Sequence, residues 1–232
     1  MLQRFSYVIN LFSCLSFLLL FSNLNAAAPK EEKKAFHPVD SLINQSGKCY
    51  YTDRARSHLL LDSAFKILSK EDYPIGLVHA LANQGNYARQ EGRLDDAILA
   101  LDSSLNICKR FGFKREEAHN YLQLGMVETA LNHNANSLSS YQKSLAIWEA
   151  EKDSALIGIL QIQLANGYFN LNAYEESMAY FQKALKTMTL NGNVYGLGNA
   201  YHGAAAVAFQ LKRNNEAKQY AYQAVDAFEQ VK

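Results

Sequence analysis

The chain has 232 residues, of which 49% are hydrophobic and 19% are charged, with a formal net charge of +1. This composition supplies enough apolar residues for a folded core and too little charge for a disordered chain. The near-neutral charge argues against nucleic acid as the main partner, because phosphate binding needs a basic face.

Residues 1–26 have the three-part pattern of a secretory signal peptide. A short basic start, Met1 to Arg4, precedes a mostly apolar run from Phe5 to Phe21, and small residues then suit cleavage. The run approaches the ~20 residues that span a bilayer, so an uncleaved membrane anchor is the alternative, and membrane contact is expected only through it. We expect an exported protein, periplasmic or extracellular, in which residues 27–37 form a flexible, charged leader.

Four segments after residue 77 superimpose at a period of 40 residues without insertion or deletion. Each contains two stretches with apolar residues at helical spacing, such as Leu156 to Tyr168 and Met178 to Met188. The positions between the two stretches hold Gly92, Asn132, Asn172 and Lys212. Glycine and asparagine tolerate left-handed backbone there, whereas lysine is a weaker turn signal. A fixed period with two helical stretches predicts an all-α stack of helix pairs.

The predicted solenoid covers residues 38–232 and begins with a degenerate unit. The predicted units are 38–77 (degenerate), 78–117, 118–157, 158–197 and 198–232. In the degenerate unit we expect a first helix from about Pro38 to Tyr51, with Gln45 where later units carry glycine or alanine. Terminal repeats are often atypical because they cap the stack.

Two cysteines, Cys49 and Cys108, follow the signal segment. An exported protein can pair such cysteines in a disulfide. Cys108, however, shares its 40-residue column with apolar residues: Leu68, Trp148, Met188 and Phe228. This column favours core packing of Cys108 as a small hydrophobe, and a disulfide is the alternative.

The repeat resembles the tetratricopeptide repeat. The resemblance rests on Ala82 to Tyr87 followed by Gly92 to Ala97, and on Leu164 to Tyr168 followed by Asn172 to Leu185. The usual unit of that family has ~34 residues, and the unit here is longer. The resemblance implies a right-handed superhelical solenoid of antiparallel helix pairs, with small residues where helices cross. It also implies a non-catalytic scaffold that binds a protein or peptide.

In the family's geometry, the first helix of each unit builds a concave groove. Carried over to this chain, the groove residues are His79, Asn83, Asn86, Arg89, His119, Gln123, Met126, Gln163, Asn166, Phe169, His202 and Phe209. Side-chain amides can hydrogen-bond the backbone of an extended peptide, and phenylalanine rings can stack on its side chains. Arg89 is the one cation in these columns, so the sequence does not indicate a clamp for a C-terminal carboxylate.

The sequence contains no GxSxG, Walker or HExxH motif. His79 and His119 share a column, but no third candidate ligand lies in register, and zinc needs three or four. Acidic pairs such as Asp95-Asp96 begin helices, where they suit the helix dipole. We therefore expect no catalytic residue, no metal and no cofactor.

The last unit has no following helix to cover it. Val225 and Phe228 belong to columns expected to face a next unit, and Val231 lies nearby, so we expect an exposed association end. Self-association, docking of a partner and truncation of a longer protein are the alternatives. Repeats of this kind resemble the sensor portions of bacterial signal-transducing regulators such as histidine kinases. A sensor role is therefore the alternative function, and an enzyme accessory role a lesser one.

Overall fold

The computed structural model describes residues 37–231, which form ten α-helices and no strand. The helices are α1 (Pro38–Cys49), α2 (Arg54–Leu68), α3 (Pro74–Gln90), α4 (Leu94–Phe111), α5 (Lys114–Ala130), α6 (Asn134–Glu151), α7 (Ser154–Asn170), α8 (Tyr174–Leu190), α9 (Val194–Gln210) and α10 (Asn214–Glu229). The predicted signal segment 1–26 and nearly all of the leader 27–37 lie outside the described residues. Between residues 37 and 231, no helix combines the length and hydropathy needed to cross a bilayer.

The helices alternate between two kinds, which we call A helices (α1, α3, α5, α7, α9) and B helices (α2, α4, α6, α8, α10). The later A helices start at Pro74, Lys114, Ser154 and Val194, and the later B helices at Leu94, Asn134, Tyr174 and Asn214. Within each of these two series successive starts are 40 residues apart, whereas α3 starts 36 residues after α1. The predicted unit boundary at residue 78 lies four residues after the start of α3. The repeat length is unchanged, and only the residue chosen as the start of each unit differs.

Left-handed residues connect the helices. The predicted turn positions are confirmed, because φ is positive at Gly92 (77°), Asn132 (59°), Asn172 (58°) and Lys212 (59°). A second set of left-handed residues joins each pair to the next: Gly112 (75°), Lys152 (57°) and Gly192 (64°). The sequence signal for this second set is the recurrence of glycine at two of its three positions.

Small residues let the A and B helices of a pair approach closely. A Cβ on Gly85 would lie 2.7 Å from Leu101 Cγ, and a Cβ on Gly125 would lie 2.5 Å from Tyr141 Cε1. Carbon atoms pack at about 3.5–4.0 Å, so a side chain at either glycine would push the helices apart. Leu101 and Tyr141 are almost fully buried at these crossings. The small residues expected at the crossings are therefore present and in contact.

Cys108 lies in the core, as its column predicts. Its side chain, like those of Trp148 and Met188 in the same column, has no solvent exposure. Neither Cys49 nor Cys108 forms a disulfide. Burial raises the pKa of the Cys108 thiol to about 11, so the thiol is neutral and unreactive at physiological pH.

The C-terminal end differs from its prediction at Phe228, which is half-buried and not exposed. The ring packs inside its own helix pair, because Gly198 leaves room for it and the Tyr195 ring lies 5.9 Å away. Val225 and Val231 are exposed as predicted, with 53% and 48% of their surfaces accessible. The exposed apolar area at this end is therefore smaller than the sequence suggests.

The degenerate first unit crosses its helices one residue out of the predicted register. Gln45 is exposed, and Ser46 is fully buried in its place. Ser46 Oγ donates to the Ser57 carbonyl and Ser57 Oγ donates to the Ser46 carbonyl, both at 2.9 Å, while Tyr87 Oη lies 2.9 Å from Ser46 Oγ. The shift keeps the long Gln45 side chain out of a close helix crossing and pairs the buried hydroxyls.

Candidate functional site

The predicted groove residues divide between two halves of the A-helix face. We call the residues on α3 and α5 the first half, and those on α7 and α9 the second half. α3 contacts α5, and α7 contacts α9. Amide side chains occupy two columns in both halves, with Asn83 matched by Gln163 and Asn86 by Asn166, but these amides have different partners. The other columns differ in residue type between the halves.

In the first half, asparagine side chains bond to the protein itself. Asn83 Nδ2 donates to the Ile43 carbonyl of α1 at 3.3 Å. Arg89 Nη2 donates to Asn86 Oδ1 at 3.0 Å. These bonds hold α3 against α1 and fix the Arg89 side chain along its own helix.

The two histidines of the first half also have partners. His79 Nε2 lies 3.8 Å from Glu116 Oε1, and the His119 ring packs edge-on against the Trp148 ring with centroids 4.9 Å apart. Desolvation by the surrounding protein lowers the pKa of His119, which favours its neutral form. Within residues 37–231, no group of three His, Cys, Asp or Glu side chains is placed to hold a metal ion.

Two polar atoms of the first half, Arg89 Nε and Gln123 Oε1, are buried without a partner among the described residues. Gln123 and Met126 are half-buried, and Met126 packs against the core cluster that contains Tyr141 and Trp148. Because both atoms are shielded from solvent, a ligand would reach them only after neighbouring side chains moved.

The second half contains a cavity of about 420 Å³ between α7 and α9. Its polar lining brings together three predicted groove residues, Gln163, Asn166 and His202, with Asn193 and Asn199. Gln163, Asn166, Asn199 and His202 make no side-chain hydrogen bond to another residue between 37 and 231. Their donors and acceptors are therefore available to a ligand.

The apolar lining of this cavity comes from both helix kinds. It consists of Ile159, Ile162, Met188 and Tyr195, with Gly196 and Gly203. Met188 is fully buried, whereas Ile159 and Tyr195 border solvent with 37% and 63% of their surfaces accessible. No carboxylate, ammonium or guanidinium group lines the cavity.

Gly203 lies on the α9 side of the cavity, in the column that holds Asn83, Gln123 and Gln163 in the other units. A Cβ at Gly203 would overlap the buried Phe181 ring, so the position has no room for an amide side chain. The cavity wall at α9 is therefore formed by glycine backbone beside Asn199 and His202.

Two predicted groove residues of the second half, Phe169 and Phe209, lie outside the cavity. Phe169 is half-buried against Tyr174, with ring centroids 5.5 Å apart, and Phe209 is 66% exposed; neither lines the cavity. The sequence analysis missed Met188, Asn193 and Tyr195, which come from the end of α8, the following turn and the start of α9. Asn193 Oδ1 accepts from the Gly196 amide at 2.8 Å and so caps α9.

Comparison with known proteins identifies the repeat. Residues 161–189 match the model of the family described as tetratricopeptide repeat. The matched residues cover the second part of α7 and nearly all of α8, which is one helix pair. No curated protein matches its sequence.

Solved structures share the tetratricopeptide-like fold at low sequence identity. BtubC from P. vanneervenii superimposes with a TM-score of 0.70 at 14% identity, over 83% of this chain and 89% of that chain. Aspartyl phosphate phosphatase F from Bacillus subtilis gives a TM-score of 0.66 at 12% identity, over 82% and 59% of the two chains. A signal transduction ATPase with a tetratricopeptide repeat sensor, from Pyrococcus horikoshii, gives 0.63 at 16% identity, over 83% and 36%. These likenesses establish a right-handed superhelical solenoid of antiparallel helix pairs.

Proposed function

We propose that this chain is a non-catalytic scaffold that binds an extended peptide segment of a partner protein along the second half of its A-helix face. The observation that carries the proposal is the unpaired polar lining of the second half. Amide side chains both donate and accept hydrogen bonds, as does each peptide unit of a bound segment. Unpaired amides beside an apolar cavity suit recognition by shape and hydrogen bonding, with no covalent step.

The spacing of the A helices supports an extended ligand. Packed helices lie about 8–10 Å apart, and an extended chain rises about 3.3 Å per residue. A peptide crossing from α7 to α9 would therefore advance by about three residues. This distance presents one peptide unit to Gln163 or Asn166 and a later unit to Asn199.

A library of random 12-residue peptides displayed on phage tests this proposal. Peptides are selected on the wild-type chain and then tested on a second-half triple variant, Gln163→Ala/Asn166→Ala/Asn199→Ala. We expect enriched peptides that bind the wild type and lose at least tenfold in affinity on the variant. Failure to enrich any peptide, or equal binding to a folded variant, would contradict the proposal.

We also propose that the protein is exported. The support is the pattern of residues 1–26, a short basic start followed by an apolar run and small residues. Expression in a bacterial host followed by fractionation and N-terminal sequencing tests it. Recovery outside the cytoplasm with an N-terminus near residue 27 is expected, and an intact Met1 on a cytoplasmic product would contradict it.

A sensor role in signal transduction is the second candidate function. It is favoured by the superposition on the signal transduction ATPase, whose repeats are described as a sensor. In that role, peptide binding to the same A-helix face would control a second component. Co-purification of a regulator whose activity changes when the selected peptide is added would distinguish a sensor from a simple scaffold.

A further inference from the structure

We infer that the cavity between α7 and α9 is an anchor subsite for one bulky, uncharged apolar side chain of the bound peptide. This inference rests on the proposed function and specifies the ligand. The two features that carry it are an apolar wall and an amide-rich rim. Together they define which side chain the subsite accepts and which it rejects.

The accessible apolar wall of the cavity consists of Ile159 and Ile162 from α7 and Tyr195 from α9. Met188 is fully buried beneath this wall. Gly158 and Gly196 make room for it: a Cβ on Gly158 would come within 2.8 Å of its Cε, and a Cβ on Gly196 within 2.5 Å of its Sδ. Complete burial of a Leu, Met or Phe side chain changes affinity by about 10- to 150-fold, which is the upper bound for a cavity that borders solvent.

The volume of the cavity sets the size of the anchor. About 420 Å³ falls toward the lower end of the ~300–1,000 Å³ range of ligand pockets, enough for a large side chain with its adjoining backbone. A small side chain would leave apolar surface uncovered. We therefore expect aromatic and long aliphatic anchors in preference to Ala, Val or Ser.

The amide-rich rim sets the charge of the anchor. Gln163, Asn166 and Asn199 carry no charge, His202 is the titratable side chain of the lining, and no carboxylate, ammonium or guanidinium group lines the cavity. A lysine side chain entering it would lose water without gaining an opposite charge, and an aspartate would have His202 as its single titratable neighbour in the lining, so both are unfavourable. The unpaired amides at the rim are placed to bond the peptide units on either side of the anchor.

The test uses the full chain and the most strongly enriched displayed peptide, synthesised with capped ends. Its candidate anchor is replaced in turn by Ala, Asp and Lys, and the dissociation constants are measured by fluorescence anisotropy. We expect the Ala replacement to weaken peptide binding by about 10- to 100-fold, and the peptides with Asp or Lys at the anchor position to bind more weakly still. If every single replacement in the peptide costs less than threefold, the subsite is contradicted.

Two protein variants locate the anchor. Ile159→Trp fills the cavity from its solvent-bordering edge, and His79→Trp places the same side chain in the same column of the first half as the matched control. We expect Ile159→Trp to weaken binding of the parent peptide at least tenfold and to change binding of the Ala-replaced peptide little. His79→Trp is expected to bind both peptides as the wild type does. Ile162→Phe, which fills the cavity from the α7 side and removes no amide, repeats the test should Ile159→Trp fail to fold.

The outcomes separate this inference from the proposed function. If the second-half triple variant loses the peptide but Ile159→Trp and Ile162→Phe retain it, groove binding stands and the anchor subsite falls. If His79→Trp loses the peptide while the cavity-filling variants retain it, the anchor lies in the first half and the inference is wrong. If no displayed peptide binds the wild type, both proposals fall.

Discussion

Amide side chains occupy two columns shared by the first and second halves of the A-helix face, but they have different partners in the two halves. In the first half, Asn83 bonds a carbonyl of α1 and Asn86 accepts from Arg89. In the second half, Gln163 and Asn166 have no such partners and border a cavity. Equivalent positions of a repeat are therefore not equivalent sites, because the neighbouring helix decides whether a polar group is free to bind a ligand.

The degenerate first unit accounts for part of this difference. α1 has 12 residues whereas α3 has 17, and α1 crosses α2 at Ser46 and not at the predicted Gln45. The Ile43 carbonyl of this irregular helix lies within reach of Asn83. In the second half, a cavity lies between two regular A helices, α7 and α9. The polar groups of the irregular first unit bond within the protein, whereas the amides that line this cavity have no such partners.

The largest expected effect is a loss of peptide affinity, which a comparison of two triple variants measures. We expect Gln163→Ala/Asn166→Ala/Asn199→Ala to weaken the selected peptide by about 10- to 100-fold, because each lost hydrogen bond is worth about 0.5–1.5 kcal/mol. Asn83→Ala/Asn86→Ala/Gln123→Ala is expected to weaken it by less than threefold. Anisotropy titrations on both proteins make the comparison, and the reverse order of effects would assign binding to the first half.

The next largest expected effect is a loss of stability caused by substitutions in the first half. Asn83→Ala/Asn86→Ala removes two internal hydrogen bonds, so we expect the free energy of unfolding to fall by about 1–3 kcal/mol. Asn166→Ala, which breaks no internal bond, is the matched control and is expected to stay within about 0.5 kcal/mol. Urea unfolding followed by circular dichroism measures both, and equal losses would remove the distinction between the halves.

A pH effect is expected from His119 of the first half. Its folded pKa is lowered, first by desolvation, while Glu116 and Asp153 oppose and Arg115 and His79 add to the shift. The folded state then binds fewer protons than the unfolded state just below pH 6.5. Stability contributed by this group is complete above about pH 6.5 and is lost as the pH falls through the lowered pKa.

Melting temperatures between pH 7.5 and 5 test this pH dependence. His119→Gln is expected to flatten the curve relative to wild type. His202→Gln, which changes an exposed histidine of the second half, is the control and is expected to leave the curve unchanged. Identical slopes for wild type and His119→Gln would show that His119 titrates as it does in the unfolded chain.

The smallest effect is expected at the turn that joins α9 to α10. Lys212 has φ of 59°, a left-handed conformation that strains a residue with a side chain, so Lys212→Gly is expected to stabilise the protein by about 0.5 kcal/mol. Binding of the peptide should not change, because Lys212 does not line the cavity. Lys218→Gly, in the exposed middle of α10, should instead destabilise by about 1 kcal/mol. A loss of stability in Lys212→Gly would refute the strain argument.

The sequence was sufficient for the fold because the period places equivalent residues in equivalent contacts. The turn at Asn132, the crossing at Gly125 and the burial of Cys108 all follow from reading one unit against the others. Errors arose where a unit departs from the repeat. Ser46 replaces Gln45 at the first crossing, and Phe228 packs on Gly198 inside its own pair.

The candidate site was only partly predictable for a related reason. Column positions identified Gln163, Asn166 and His202, but they did not distinguish a bonded Asn83 from an unpaired Gln163. That distinction depends on carbonyl groups of neighbouring helices, which side-chain patterns do not report. The cavity itself also takes part of its lining from outside the A-helix columns, at Met188 of a B helix and Asn193 of a turn.

Side-chain amide signals give the most direct measurement of the central claim. In ¹H–¹⁵N correlation spectra of the labelled chain, the Asn and Gln side-chain amides are assigned with single variants and followed while the selected peptide is added. We predict that Gln163, Asn166 and Asn199 shift as the peptide saturates, while Asn83 and Asn86 do not. Shifts confined to Asn83, Asn86 and Gln123 would contradict the claim that the second half of the A-helix face is the binding surface.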